Sequence, residues 1–329
     1  MNIMSLVNAL PGAVAQGLIW GILAIGVYIT YRILDIADLT VDGTLCTGGA
    51  VCIMTLMSGQ NIWVAMLAGT LAGMLAGLAT GLLHTFMGIP AILSGILTQL
   101  GLYSINLKIM GKANQAVNVD KYDLLVSLRF IRDVPVWKNT IFVVALSILI
   151  LILILYWFFG TELGCSLRAT GCNDRMAKAQ GINTDFCRVL GLMLSNGLVA
   201  LSGALLSQYQ GFADINMGRG AIVIGLAAVI IGEAIVTRIS RNFAVQLVGV
   251  VIGSVIYYIV YQFVIWLNID TEYLKMFAAI VVAIFLAVPY MKDKYFSNLK
   301  RRGGPSNGGT LRRKKDAQSA RSGEADKNV

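Results

Sequence analysis

Long apolar stretches alternate with short polar turns along most of this chain. A helix needs about 20 apolar residues to cross about 30 Å of hydrocarbon. That criterion predicts strong spans at 11–33, 62–86, 140–159, 188–208, 243–266 and 273–290. A shorter, glycine-containing span fits 89–107, and two glycine-punctuated segments, 43–58 and 218–236, read as broken or tilted helices. The expectation is an all-α polytopic transmembrane bundle of about 8–9 spans. Residues 1–291 form the membrane domain, with a long external loop at 108–139 and a cytoplasmic loop at 160–187.

That cytoplasmic loop interrupts the apolar pattern with a run of helix punctuation. Asn173 can accept a hydrogen bond from an unpaired first-turn N–H. Asp174 stands at the positive end of the helix dipole and Lys178 near the negative end, four residues on, in the favourable order. Gly181 supplies a stop, and Ile182 the apolar contact that accompanies a Schellman cap. The spacing predicts a helix over 174–180, about two turns and roughly 10 Å long. Arg175 and Lys178 would face outward, with Met176, Ala177 and Ala179 as a small apolar surface for a soluble partner.

Composition agrees with a membrane protein. The chain has 329 residues, 57% of them hydrophobic and only 13% charged, against about 25% charged in soluble domains. The net charge of +9 is concentrated: 11 of the 26 Lys and Arg residues follow Tyr290, so the charge is not a nucleic-acid footprint. The basic tail, 292–329, is rich in Gly, Ser, Lys and Arg; it reads as disordered and, by the positive-inside rule, as cytoplasmic. Counting back puts Arg32, Arg168, Arg175, Lys178, Arg188, Arg238 and Arg241 inside and the N-terminus outside. The loop 108–139 falls outside although it is basic. Its Leu124, Leu125, Leu128 and Ile131 recur at helical spacing and predict a short amphipathic surface helix. The basic residues Arg129 and Arg132 make this loop a candidate dock for an extracellular partner.

Two segments hint at an internal inverted repeat. Asp38-Leu-Thr40-Val-Asp42-Gly43, followed by Gly48, matches Asp214-Ile-Asn216-Met-Gly218-Arg-Gly220, followed by Gly225: an acidic loop leading into a glycine-punctuated apolar segment. Repeats with interrupted helices put transport pathways at their interface. Asp35, Asp38 and Asp42 would share one face if helical, as an acidic vestibule or gate; the alternative is capping at the membrane edge, with Asp35 paired to Arg32. Glu233, in an apolar run, is a gate residue or half of a local ion pair. The single histidine, His84, reads as a packed neutral imidazole, and no Cys/His pattern suits a metal. No phosphate-binding loop of the G-x-x-x-x-G-K-[ST] kind occurs, so ATP hydrolysis would fall to another chain; no cofactor is expected.

The order of these pieces resembles the permease subunits of ABC importers of the branched-chain amino acid and ribose type. The resemblance rests on Gly17-Leu-Ile-Trp-Gly through Arg32, on Asp38 to Val51, and above all on Leu163-Gly-Cys-Ser-Leu-Arg168 through Asn183, continuing to Gly203, Gly218 and Gly225. Asp35, Asp38 and Asp42 replace a more neutral run and resemble a branch associated with aromatic amino acid binding proteins. The resemblance implies a permease of the bacterial cell membrane, with a second copy, an ATP-binding subunit and an extracellular solute-binding (lipo)protein as partners. It also implies that 173–183 couples to the ATPase and that 43–58 and 218–236 run close to the translocation path. An ion-coupled secondary transporter acting alone, and a channel or scaffold, are the competing classes.

Overall fold

The structure is a computed structural model and describes residues 3–118, 121, 122, 124–128, 139–236 and 242–266, with isolated positions 276, 280 and 283. All of these lie in the compact unit Met1–Phe285. The expected span 273–290, Arg129, Arg132, Arg238, Arg241 and the basic tail fall outside the described residues.

In chain order the elements are α1 (Ile3–Tyr28), a π-helical turn (Ile29–Ile33), α2 (Val41–Met57), α3 (Ile62–Thr85), α4 (Ala91–Met110) and β1 (Asn114–Ala116). Then come α5 (Thr140–Phe159), α6 (Glu162–Cys172), α7 (Asp174–Ala179), α8 (Thr184–Gln210), β2 (Phe212–Asp214), α9 (Ala221–Val236) and α10 (Phe243–Trp266). Among the described residues, six helices are long and apolar enough to cross a membrane: α1, α3, α4, α5, α8 and α10. Helices α2 and α9 are shorter, at 17 and 16 residues. At 1.5 Å per residue they reach about 25 Å, short of a full crossing. These are the two segments expected to be broken, and each begins after a non-helical run inside the fold.

Helices α1 and α8 form the buried spine and run antiparallel. Ser195, Ser202 and Tyr209 of α8 donate to the carbonyls of Gly26, Ile19 and Gly12, so ascending residues on one helix meet descending residues on the other. Each spine helix packs on the other half's later helices. On α10, Ser254 donates to Gly17 O at 2.8 Å, and Tyr28 of α1 donates to Gln246 Oε1 at 2.7 Å. On α3, Gly69, Gly73, Gly77 and Gly81 lie one turn apart against Ala204, Ala200, Leu192 and Val189 of α8. A Cβ at Gly73 or Gly77 would run into the α8 backbone or an Ala200 methyl. Lipid is as apolar as leucine, so membrane helices associate through such close packing and hydrogen bonds. The halves α1–α3 and α8–α10 thus interlock by exchanging their first helices, and those first helices point in opposite directions, as in an inverted repeat.

Helices α3, α4 and α5 carry many exposed large apolar residues, among them Leu67, Leu71, Ile96, Leu100, Leu149 and Leu153. A two-stranded antiparallel pairing, Gln115 opposite Ala213, ties the loop after α4 to the turn after α8. The amphipathic helix expected from Leu124 does not form over 124–128. Val126 is fully buried, Leu125 N–H donates to Gln208 Oε1, and Ser127 pairs with Thr140, so this part of the loop is folded onto the core.

Candidate functional site

Two short helices begin where the halves meet. The chain leaves the π-helical turn at Leu34, packs against Gly171 and Gly191, and turns back through Asp35, whose φ is 55°. It then climbs without helical structure to Val41. This corrects the shared acidic face: Asp35 is exposed, Asp38 is buried, and Asp42 lies in the first turn of α2. Asp38 accepts from Thr40 N–H at 2.9 Å and from Asn196 Nδ2 at 2.6 Å. Thr44 donates to Asn196 Oδ1 at 2.7 Å, and Thr40 pairs with Thr80, which reaches Thr98. A buried carboxylate is tolerated only when hydrogen-bonded. Asn196, Thr44 and Thr80 provide this network, and the sequence pattern had singled out none of them.

Asp42 reaches across to the other half. Its Oδ2 accepts from Gly220 N–H at 2.9 Å and its Oδ1 from Ile222 N–H at 3.0 Å. A side chain from α2 therefore caps α9, satisfying first-turn donors that have no partner within their own helix. Close approach requires glycine at 218, where a Cβ would overlap the Asp42 carbonyl. Gly220, at φ 84°, makes the left-handed turn into α9. Beside this junction lies a cavity of about 240 Å³. Asp42, Gly43 and Cys46 line it from α2, Gln99, Leu100, Tyr103 and Asn106 from α4, and Ile215 and Arg219 from the turn before α9.

Of the expected path residues, Asp42, Gly43, Gly218 and Gly220 meet here, with Asp38 and Thr40 in the network beneath. Gly48 packs on the Ala200 carbonyl of α8, and Gly225 on Val27 and Leu23 of α1, away from the cavity. Asn216 is exposed in the turn, its N–H donating to Asp214. Glu233 pairs with Arg32 at 2.9 Å, joining α9 to the π-helical turn after α1, so Arg32 serves Glu233 rather than Asp35. His84 Nδ1 lies 2.8 Å from the Ile89 carbonyl and donates to it. Gln99, Tyr103, Asn106 and Arg219 were missed; for the first three the signal was the polar content of the weakest span.

The loop helix forms as its spacing predicts. Asn173 Oδ1 accepts from Met176 N–H at 3.1 Å. Gly181, at φ 80°, donates to Lys178 O, and Ile182 N–H to Ala177 O, the paired bonds of a Schellman cap. Asp174 pairs with Lys178 at 3.3 Å and with Arg188 of α8 at 3.1 Å. Desolvation alone would raise the Asp174 carboxyl; the Thr184 hydroxyl, Lys178 and Arg188 outweigh it and hold it below the ordinary 3.8. Because α7 is pinned to α8, Ala177 turns inward and is only 3% exposed. The outward surface is Arg175, Met176, Lys178, Ala179 and Gly181, with Phe186 beside it.

Residues 10–287 match the family described as branched-chain amino acid transport system, permease component. The chain belongs to this family. It is a multi-pass membrane protein and a permease component of an ATP-binding-cassette importer for small solutes. It is 38% identical over 280 residues to a tyrosine transport system permease protein of Clostridioides difficile, covering 85% of this chain and 91% of that one. A fructose import permease protein of Bifidobacterium longum is 26% identical, over 80% of this chain and 73% of the relative. Among solved structures, PsaBC from Streptococcus pneumoniae in complex with Fab covers 90% of this chain and 99% of its own at a TM-score of 0.52 and 15% identity, a likeness of fold.

Proposed function

We propose that this permease forms the path for an amino acid, with aromatic amino acids foremost, delivered by an extracellular binding protein and driven by a separate ATP-binding subunit. The observation that carries the substrate class is the 38% identity, across most of both chains, to a permease named for tyrosine transport. The path runs past the α2–α9 junction, the one place where broken helices from both halves meet beside a cavity among the described residues. Two copies form the membrane unit, and the exposed apolar faces of α3–α5 give ample area for lipid and a second copy. Helix α7 docks on the ATPase from the cytoplasmic side, the side that also holds the C-terminus. Residues 108–139 meet the binding protein, with Arg129 and Arg132 as contacts.

The test is reconstitution in proteoliposomes with the cognate ATPase and binding protein, following labelled amino acids. ATP-dependent uptake of L-tyrosine or another L-amino acid is expected. Uptake that proceeds without the ATPase and collapses with a protonophore would overturn it, as would ATP-driven uptake restricted to sugars.

A further inference from the structure

We propose that the cavity beside the α2–α9 junction is a transit site that recognises the charged ends of a single zwitterionic amino acid: carboxylate on Arg219, ammonium on Asp42 and Asn106. It rests on the amino acid reading above and assigns the groups that do the recognising.

Three polar groups in this cavity have unused capacity. Asn106 is 1% exposed, and its Nδ2 is engaged by the Gly43 carbonyl at 3.4 Å, yet its Oδ1 is buried without a partner. Buried acceptors are almost always paired; this one is covered at the cavity wall, on a residue that lines the cavity, and a small side-chain shift would bring it to an external donor. Asp42 accepts from the N–H groups of Gly220 and Ile222, and the Ala221 N–H is directed at it as well. A carboxylate offers about four acceptor sites, which leaves room for an ammonium. Arg219 is exposed and makes no ion pair among the described residues, although it sits one residue from the amide that Asp42 accepts. Asp42 of α2, held by the turn's amides, and the Arg219 guanidinium of that turn thus line one cavity without an ion pair between them. A guanidinium suits a carboxylate bidentately.

The remaining wall suits a side chain. Leu100 and Tyr103 are apolar and aromatic, and Gln99 adds one amide. At about 240 Å³ the space equals about eight waters at 30 Å³ each. It lies just under the 300–1,000 Å³ typical of drug-sized ligands, which fits one small solute.

The test measures equilibrium binding of labelled L-tyrosine to the whole permease–ATPase complex in nanodiscs, without binding protein. Tyramine, lacking the carboxylate, and 3-(4-hydroxyphenyl)propionate, lacking the ammonium, serve as competitors. Wild type should prefer L-tyrosine at least tenfold over each. Arg219→Gln should weaken L-tyrosine about tenfold and leave tyramine unchanged, so that preference collapses; Arg219→Lys should recover part of it. Asn106→Leu should erase the preference over the propionate in the same way. These ratios separate lost recognition from a damaged fold. Absence of saturable binding, or unchanged ratios in both Arg219→Gln and Asn106→Leu, overturns the site. If wild-type proteoliposomes still take up L-tyrosine, only the site has failed; if they take up no amino acid, the substrate reading fails with it.

Discussion

Met176 is the residue on which the docking of α7 can be weighed. Its side chain is 62% exposed, while the neighbouring Ala177 is 3% exposed and packed against its own chain. Fully burying a methionine contributes about 1.5–3 kcal/mol. Covering the exposed share on an ATPase groove would therefore contribute about 1–2 kcal/mol per helix, a five- to thirtyfold change in affinity at about 1.4 kcal/mol per decade. Met176→Ala should weaken ATPase binding to the nanodisc-held permease by about that factor. Met176→Asp should weaken it further, because an unpaired charge buried in a contact costs several kcal/mol. Both variants should insert normally, since the wild-type side chain faces out. Ala177→Asp is the contrasting case: its charge would enter the permease's own packing, so yield and thermal stability should fall before any docking is measured. Biolayer interferometry against the purified ATPase reads the affinity, and a thermal shift reads the fold. If Met176→Asp binds within twofold of wild type, α7 is an ordinary surface helix.

Other outcomes follow from the same geometry. Asp42→Ala removes two charge-assisted hydrogen bonds to the start of α9, each worth about 1.5–3 kcal/mol, so the purified permease should show a clearly lower Tm; Asp42→Asn should lose about half as much. Gly203→Val drives a side chain into the Leu45 carbonyl and should cost at least the 1–3 kcal/mol typical of overpacking, read as reduced yield of folded protein. The Arg32–Glu233 pair is partly exposed, with its arginine side chain 59% accessible, so neutralising it should change stability by about 1 kcal/mol or less, and Arg32→Glu with Glu233→Arg should transport better than either alone. Asp174 is held below 3.8; a depressed carboxylate stabilises above its unfolded value and loses that contribution as pH falls through the folded value. A spin label at Ala179 should therefore stay immobile from neutral pH down to about 5 and loosen only in stronger acid, and Asp174→Asn should be loose throughout; equal mobility of the two at neutral pH would refute the idea that Asp174 ties α7 to α8.

The spans were legible because twenty-residue apolar runs are a coarse, strong signal, and α7 was legible because its caps are local chemistry at fixed offsets. Ala177 was misjudged for the opposite reason. Which face of a six-residue helix turns inward is decided by Asp174 meeting Arg188 across the α7–α8 turn, and no periodicity within α7 reports that. The acidic triple failed similarly. Its spacing fits a helix face, but a left-handed turn at Asp35 and the buried Asp38–Asn196 hydrogen bond take the backbone out of helix before α2. Asn196 is invisible at that level because a lone amide in an apolar span has many meanings until its partner, 158 positions away, is known. The repeat was detectable as two glycine-rich acidic segments, yet the carboxylate of one capping the helix of the other follows only from their meeting in space.

Helix α8 offers the proposed docking of α7 a route to the junction. It is one unbroken helix of 27 residues. Its first turns grip α7 through Arg188, its middle holds Asp38 and Thr44 through Asn196, and Gly203 sits against the Leu45 carbonyl. From Arg188 to Asn196 is about 12 Å at 1.5 Å per residue. Slippage of α8 along α2 by even one residue would break the Thr44 and Asp38 hydrogen bonds and drive carbonyls into glycine-sized gaps, so these two helices move together. Helix α9 is attached to α2 differently, through two hydrogen bonds from one carboxylate, with a cavity beside them. Under the proposed docking, a push on α7 would therefore be transmitted stiffly as far as Asp42, and the compliant joint would lie beyond it, at the start of α9, where Arg219 lines the cavity.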